Sequence, residues 1–186
     1  MHLYHDETER RNWQNPEELL ESIGLRTGHT FVDVGCGEGF FALTAARIVG
    51  PGGRVYGIDI NRGALDRLDA AARSLGLENI TLLEGEGEEI VPCEGCADFV
   101  FFGIDLHDFR DPRKVLQNAG RILIPATGRL VDLDWKKMRM SFGPPYEIRF
   151  SLEEAEALIA GQGFELVARE DSGPYHYLIV ARPGRS

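Results

Sequence analysis

Phe31-Val-Asp33-Val-Gly35-Cys36-Gly37-Glu-Gly39-Phe40 decides how the rest of the chain is read. A β-branched run, Thr30–Val34, leads into it. A stretch of helical spacing (Phe41, Ala45, Ile48) leads out and stops at Gly50-Pro51. Strand, glycine turn and helix in that order give a glycine-rich loop chemical meaning. Glycines let the backbone turn tightly and approach a ligand with no Cβ in the way, and the helix start offers free N–H groups. The spacing is G-x-G-x-G. A dinucleotide fingerprint would be G-x-G-x-x-G/A, and its third position is Phe40, too bulky for the close helix–strand contact of a pyrophosphate site. A second strand ends in Asp59, 20 residues beyond Gly39. A carboxylate there can accept both hydroxyls of a ribose. The loop and Asp59 together point to a nucleoside ligand and leave NAD and S-adenosylmethionine both open.

Outward from this core the pattern repeats. Arg54–Ile58, Ile80–Leu83, Asp98–Phe102 and Arg129–Leu133 are further strand-like runs. Between them, Leu65, Leu68, Ala72 and Leu75 share a helical face closed by Gly76. Asp111-Pro112 caps another helix carrying Val115, Leu116 and Ala119. Five alternations predict a parallel sheet with helices on both faces. Ser151-Leu-Glu-Glu154 is a capping box opening a helix to Ala160. The strands after it, Phe164–Arg169 and Tyr175–Ala181, are joined by a link too short for a crossover, so they form an antiparallel hairpin. Asn15-Pro16-Glu17-Glu18 caps a helix to Gly24 ahead of the first strand.

The chain has 186 residues, 43% hydrophobic and 27% charged, with a formal net charge of −10. We expect one domain over 1–186, with a cap segment and helix over 1–28 and a substrate lid over 135–150. Acidity argues against a nucleic-acid partner, because phosphate binding needs clustered Lys and Arg. There is no apolar run of the roughly 18 residues that would span a bilayer, and Met1–Gln14 does not read as a signal peptide. Three cysteines do not make a disulfide scaffold, which suits the cytoplasm.

Taken in order, these motifs resemble the class I S-adenosylmethionine-dependent methyltransferases, in particular the small stand-alone methyltransferase type 11 and quinone-methyltransferase-like group. Val32–Gly39 resembles the first motif and Val55-Tyr-Gly-Ile-Asp59-Ile60 the acidic second strand. Gly85-Glu86-Gly87-Glu88 resembles a third, usually Gly-Asp-Ala-Glu. Asp98–His107 resembles the fourth strand and its loop, and Arg121–Leu130 the approach to the fifth. The resemblance implies an α/β Rossmann-like three-layer sandwich, with seven strands in the order 3-2-1-4-5-7-6 and strand 7 antiparallel. It implies S-adenosyl-L-methionine as cofactor, bound where the strand order reverses. Gly35, Cys36, Gly37 and Gly39 would lie beneath its methionine part, with Asp33 anchoring the amino group through the loop. Asp59 would take the ribose and Ile60 one adenine face. Glu86, or Glu88 in its place, would meet the adenine amino group with the Gly87 N–H opposite, and Phe102 and Gly103 would border the sulfonium.

Direct methyl transfer asks mainly for alignment and exclusion of water. His107, with Asp105 beside it, is the candidate for removing a proton from the acceptor, the alternative being that it only shapes the pocket. The loop after strand four reads Gly103-Ile-Asp-Leu106, not the Asn/Asp-Pro-Pro-Tyr/Phe of amide-type nitrogen methylation. A small-molecule acceptor is expected. Lys136, Lys137, Arg139 and Arg149 in the lid, set against Glu147, could favour an anionic acceptor, the alternative being a solvated rim. Trp13, Phe142 and Tyr146 could wall its pocket, and His5, Trp13 and Gln14 could fold over the cofactor. Cys93-Glu-Gly-Cys96 has no second ligand pair for zinc and reads as an ordinary turn, so no metal is expected. Two rivals remain: an NAD(P)-dependent oxidoreductase, and a protein that binds S-adenosylmethionine without turnover.

Overall fold

A computed structural model describes residues 14–184. Seven strands form one sheet: β1 (Thr30–Val34), β2 (Arg54–Asp59), β3 (Ile80–Glu84), β4 (Phe99–Gly103), β5 (Arg129–Trp135), β6 (Phe164–Ser172) and β7 (His176–Pro183). Their order is β3-β2-β1-β4-β5-β7-β6. Strands β1 to β5 pair in parallel, and β7 runs antiparallel to both neighbours. The order agrees with the expectation from the sequence. The helices are α1 (Pro16–Ser22), α2 (Ala42–Val49), α3 (Arg62–Ser74), α4 (Pro112–Ile122) and α5 (Leu152–Ala160).

Local chemistry sets the helix starts. Asn15, Asn61, Asp111 and Ser151 each accept a backbone N–H from the first turn of α1, α3, α4 and α5, filling donors that a helix start leaves unpaired. Helices α1, α2 and α3 bury Leu20, Ala45, Val49 and Leu68 against Phe31, Phe101 and Leu133 on one sheet face. Helices α4 and α5 bury Leu116, Ala119, Ala155 and Ile159 against Val32, Val100 and Ile179 on the other. Parallel strands covered on both faces read as continuous apolar runs, which is why they stood out in the sequence.

The edge strand β6 is mostly exposed and shows a register shift between Leu166 and Ala168, an irregularity of the kind that keeps an edge from pairing with another chain. The hairpin turn is shorter than expected, because the β6–β7 ladder continues to Ser172 opposite His176. Cys93 and Cys96 depart from the sequence reading. Gly95, at φ +57°, closes the turn and brings their Cα atoms to 6.0 Å, and a disulfide joins them. Among the described residues no helix is long and apolar enough to cross a membrane.

Candidate functional site

The first strand and the first crossover helix meet at the glycine loop. Gly35, Gly37 and Gly39 all have positive φ, at +78°, +52° and +94°. The Gly35 and Cys36 amides both donate to the Ile58 carbonyl, at 2.8 and 3.0 Å, which ties the loop to β2. A Cβ on Gly35 would overlap the Asp105 carboxylate, and one on Gly39 would overlap Leu68 of α3. Cys36 packs where a Gly57 Cβ would stand. Burial pushes its thiol well up, and the charges of Asp33, Asp59 and Asp105 push it further. The thiol is therefore neutral and no nucleophile.

Those three carboxylates surround the loop. Asp59 Oδ2 accepts the Gly37 N–H and Oδ1 the Asn61 N–H, both at 2.8 Å. Each carboxylate oxygen has a second lone pair left for a hydroxyl. Ile60, next to it, is 69% exposed, an apolar side chain standing in solvent beside a strand end. A charge a few ångströms away is worth on the order of a few kcal/mol near a protein surface. A ring of negative charge repels a pyrophosphate and attracts a sulfonium and an ammonium. The residues therefore suit S-adenosylmethionine and disfavour NAD.

Two neighbouring expectations divide. Glu86 is half-exposed, with Arg110 beside it at 3.3 Å. Glu88 is buried and accepts the Asp111 N–H at 3.1 Å, while Asn118 donates to the Gly87 and Glu88 carbonyls. Glu88 is thus engaged in holding the start of α4. Gly87 is buried, and a Cβ there would meet Val34, Val115 and Phe109. The Phe102 side chain points into the core against Phe109, so only its backbone can border the site. Gly103 lies under Phe41.

Past Gly103 the chain makes a forced turn. Ile104 has φ +68°, an outlying conformation for a β-branched residue. This sends Asp105 back over Gly35, while Leu106–Asp108 forms a 3₁₀ turn on the β5 side. Asp105 and His107, paired in the sequence reading, therefore serve different halves of the site. His107 Nδ1 lies 2.7 Å from Asp134 Oδ1. The Trp135 N–H already donates to the same oxygen, and the His107 N–H donates to Oδ2. Asp134 acts as acceptor in these contacts, so the ring proton sits on Nδ1 and Nε2 faces Asp108 Oδ1 at 3.4 Å. Burial disfavours the charged ring, but the hydrogen bond and charge of Asp134, with the charge of Asp108, outweigh both burial and Arg149. His107 therefore titrates above its ordinary value.

This shift has a pH consequence. A group whose folded pKa is raised contributes stability that is complete below its unfolded value and lost as pH rises through the folded one. Thermal melts of the protein and His107→Gln from about pH 5.5 to 9 are expected to differ most at the acid end and converge with rising pH. A gap that widened with pH would contradict the assignment.

Sequence reasoning missed Asp134, and Asp132 behind it. Asp132 is fully buried, and neither carboxylate oxygen has a hydrogen-bond partner among the described residues. Burial and then the nearby charge of Asp134 hold its carboxyl well above the usual range. Tyr177, opposite Asp134 in the β5–β7 ladder, is likewise buried and kept neutral.

The segment 136–150 carries no helix or strand. Its cations are largely engaged. Lys136 pairs with Asp171 and Lys137 with Glu154, both at 2.9 Å, and Arg139 stacks on Tyr146. Arg149 is buried, donating to the carbonyls of Lys136, Met138, Phe142 and Pro144 with its guanidinium over Trp135. Phe142, 46% exposed, packs edge-on against Tyr175 and Trp135. A groove of about 770 Å³ runs between this segment, the start of α4 and α5, lined in part by Arg113, Ile148, Phe150 and Leu158. Phe142 and Tyr146, expected to wall the pocket, lie in the segment but do not line this groove, whereas Trp13 and His5 fall outside the described residues. Among those described, no group of three or more His, Cys, Asp or Glu side chains is placed to hold a metal ion.

Comparison with known proteins agrees with this geometry. Residues 25–140 match the family model of a methyltransferase domain. A demethylmenaquinone methyltransferase of Geobacillus kaustophilus is 28% identical over 116 residues, 62% of this chain and 50% of that protein. A protein of the same name from Staphylococcus aureus is 29% identical over 118 residues, 63% of this chain and 48% of its own length. The chain thus spans about half the length of these curated relatives. The crystal structure of a SAM dependent methyltransferase from Aquifex aeolicus superposes with a TM-score of 0.87 at 30% identity, covering 93% of this chain and 92% of that one. A phosphoethanolamine N-methyltransferase of Haemonchus contortus, solved with S-adenosyl-L-methionine, shares the fold at 16% identity, with a TM-score of 0.78 over 93% of this chain and 53% of its own.

Proposed function

The chain belongs to the S-adenosylmethionine-dependent methyltransferases, and from that membership we propose that it methylates a small, planar, quinol-like acceptor in the cytoplasm. The observation that carries the cofactor half of this reading is the ring of Asp33, Asp59 and Asp105 around a G-x-G-x-G loop. When bound, the cofactor supplies an electrophilic methyl group on a cationic sulfur. Asp59 and Ile60 would hold the ribose and adenine, and Glu86 the adenine amino group. Asp105 and Asp33 would face the positive methionine end. The protein's task is then to hold the acceptor in line and keep water away, which can supply roughly 7–11 kcal/mol of the barrier.

The acceptor half rests on the lid. Phe142, Tyr175 and Tyr146 offer flat aromatic faces at its rim, and the curated relatives are named for demethylmenaquinone. An anionic acceptor would meet Arg139, the one of the four lid cations with neither a carboxylate nor a carbonyl partner among the described residues. His107, backed by Asp134, is the base to which a proton from a hydroxyl or ring carbon would finally pass.

Calorimetric titration with S-adenosylmethionine, S-adenosylhomocysteine and NAD tests the cofactor reading. Binding on the order of micromolar is expected for the first two and none for NAD, with at least about a tenfold loss in Asp59→Ala. Heat of binding from NAD alone would instead support the oxidoreductase reading.

A further inference from the structure

His107 has no open path to an acceptor. Its side chain is 2% exposed, its Nδ1 is held by Asp134 at 2.7 Å, and its Nε2 faces Asp108 at 3.4 Å. Asp108, by contrast, has a side chain 51% exposed. Asp134, His107 and Asp108 form a carboxylate–imidazole–carboxylate chain that runs from the sheet interior to the surface. It emerges on the 3₁₀ turn after β4, at the end of the sheet that carries the glycine loop. The buried end is fixed by three N–H contacts. The outer end is a short, half-exposed side chain on a surface turn.

We propose that Asp108 is the catalytic residue that takes the proton from the acceptor and passes it to His107. This rests on the methyltransferase reading given above. As the acceptor atom attacks the methyl carbon, the new bond forms and the carbon–sulfur bond breaks, its electron pair remaining on sulfur. The acceptor's proton goes to the Asp108 carboxylate and on to Nε2 of the neutral ring. Asp134 meets the imidazolium so formed, and the proton leaves through Asp108 to water. The groups facing the ring are Asp108 on its own turn, Asp134 of β5 and Arg149 of the lid, whose charge opposes ring protonation. Asp132 lies behind Asp134, where burial disfavours its charged form. A ring gripped on one side cannot swing toward an acceptor, whereas the exposed carboxylate can.

The test compares Asp108→Asn, Asp108→Ala and Asp134→Asn with the unaltered protein, using S-adenosylmethionine and 1,4-naphthohydroquinone as the probe acceptor. The Asp108 variants are expected to bind S-adenosylmethionine within about twofold of the unaltered protein and to lose about 100-fold in kcat. Added acetate or formate should restore part of the rate in Asp108→Ala, which a merely structural carboxylate would not allow. NMR titration of the His107 ring needs no acceptor. Its midpoint should fall in Asp108→Asn and fall further in Asp134→Asn. A His107 midpoint unmoved in Asp108→Asn, or a kcat within about threefold of the unaltered protein, overturns the proposal. Failure of the unaltered protein to bind S-adenosylmethionine would instead overturn the reading on which it rests.

Discussion

Gly35→Ala is expected to weaken S-adenosylmethionine binding by at least about a hundredfold, close to 2.8 kcal/mol, while the protein remains folded. The backbone there has φ +78°, where an L side chain costs about 1–2 kcal/mol. Steric overlap adds more than this. An alanine Cβ would overlap Asp105 Oδ2 and lie 2.8 Å from its Cγ, so the Asp105 carboxylate must leave its place. Gly37→Ala is the control. It also has positive φ, but its Cβ would meet nothing within 4 Å, so it should lose only the conformational part. Calorimetry on both variants, with circular dichroism to confirm folding, decides the matter. Equal and small losses would show that the approach of Asp105 to Gly35 plays no part in binding.

Arg149→Met should lower stability by about 3 kcal/mol or more, the scale of stranding groups that had a buried charged partner. For a chain of this size that corresponds to a fall in Tm of roughly 6–12 °C. Methionine keeps the length of the side chain but removes its five N–H donors. Four carbonyls of the lid, on Lys136, Met138, Phe142 and Pro144, lose the guanidinium that gathers them. Lysine cannot replace it, because one ammonium cannot reproduce a planar fork. The lid should become sensitive to proteolysis between residues 136 and 150, and the acceptor KM should rise while cofactor affinity holds. An unchanged melt together with an intact lid would mean that the carbonyls find other partners.

The sheet was legible because its strands are covered on both faces and so form unbroken apolar runs, and because Gly50, Gly76 and Pro112 mark helix ends. The glycine loop, Asp59 and Glu86 were legible for the same local reason, because each adjoins a strand end. The pairing of His107 with Asp134 was not. Leu130-Val-Asp132-Leu-Asp134 alternates as a strand with one wet face would, yet α4 and α5 cover that face and both aspartates are buried. Nothing near Asp134 in sequence announces its partner, which lies 27 residues away. The lid misled in the opposite direction. Four cations in one segment read as a charged surface, but Asp171 and Glu154 arrive from β6 and α5 to pair with two of them, and the lid folds its own carbonyls around a third. Local charge is a property of sequence, whereas net field depends on what the fold brings alongside.

Ile104 has a bearing on how the two halves of the site move. Its left-handed backbone joins Asp105, which lies on the glycine loop, to His107, which is latched to β5. The two ends cannot shift independently, because the strained peptide between them leaves little slack. A ligand that presses on Asp105 therefore also braces His107 and Asp108, and an empty glycine loop leaves both less firmly held. Binding of S-adenosylmethionine is therefore expected to slow hydrogen exchange across residues 105–108, and unchanged exchange would show that the two ends move independently.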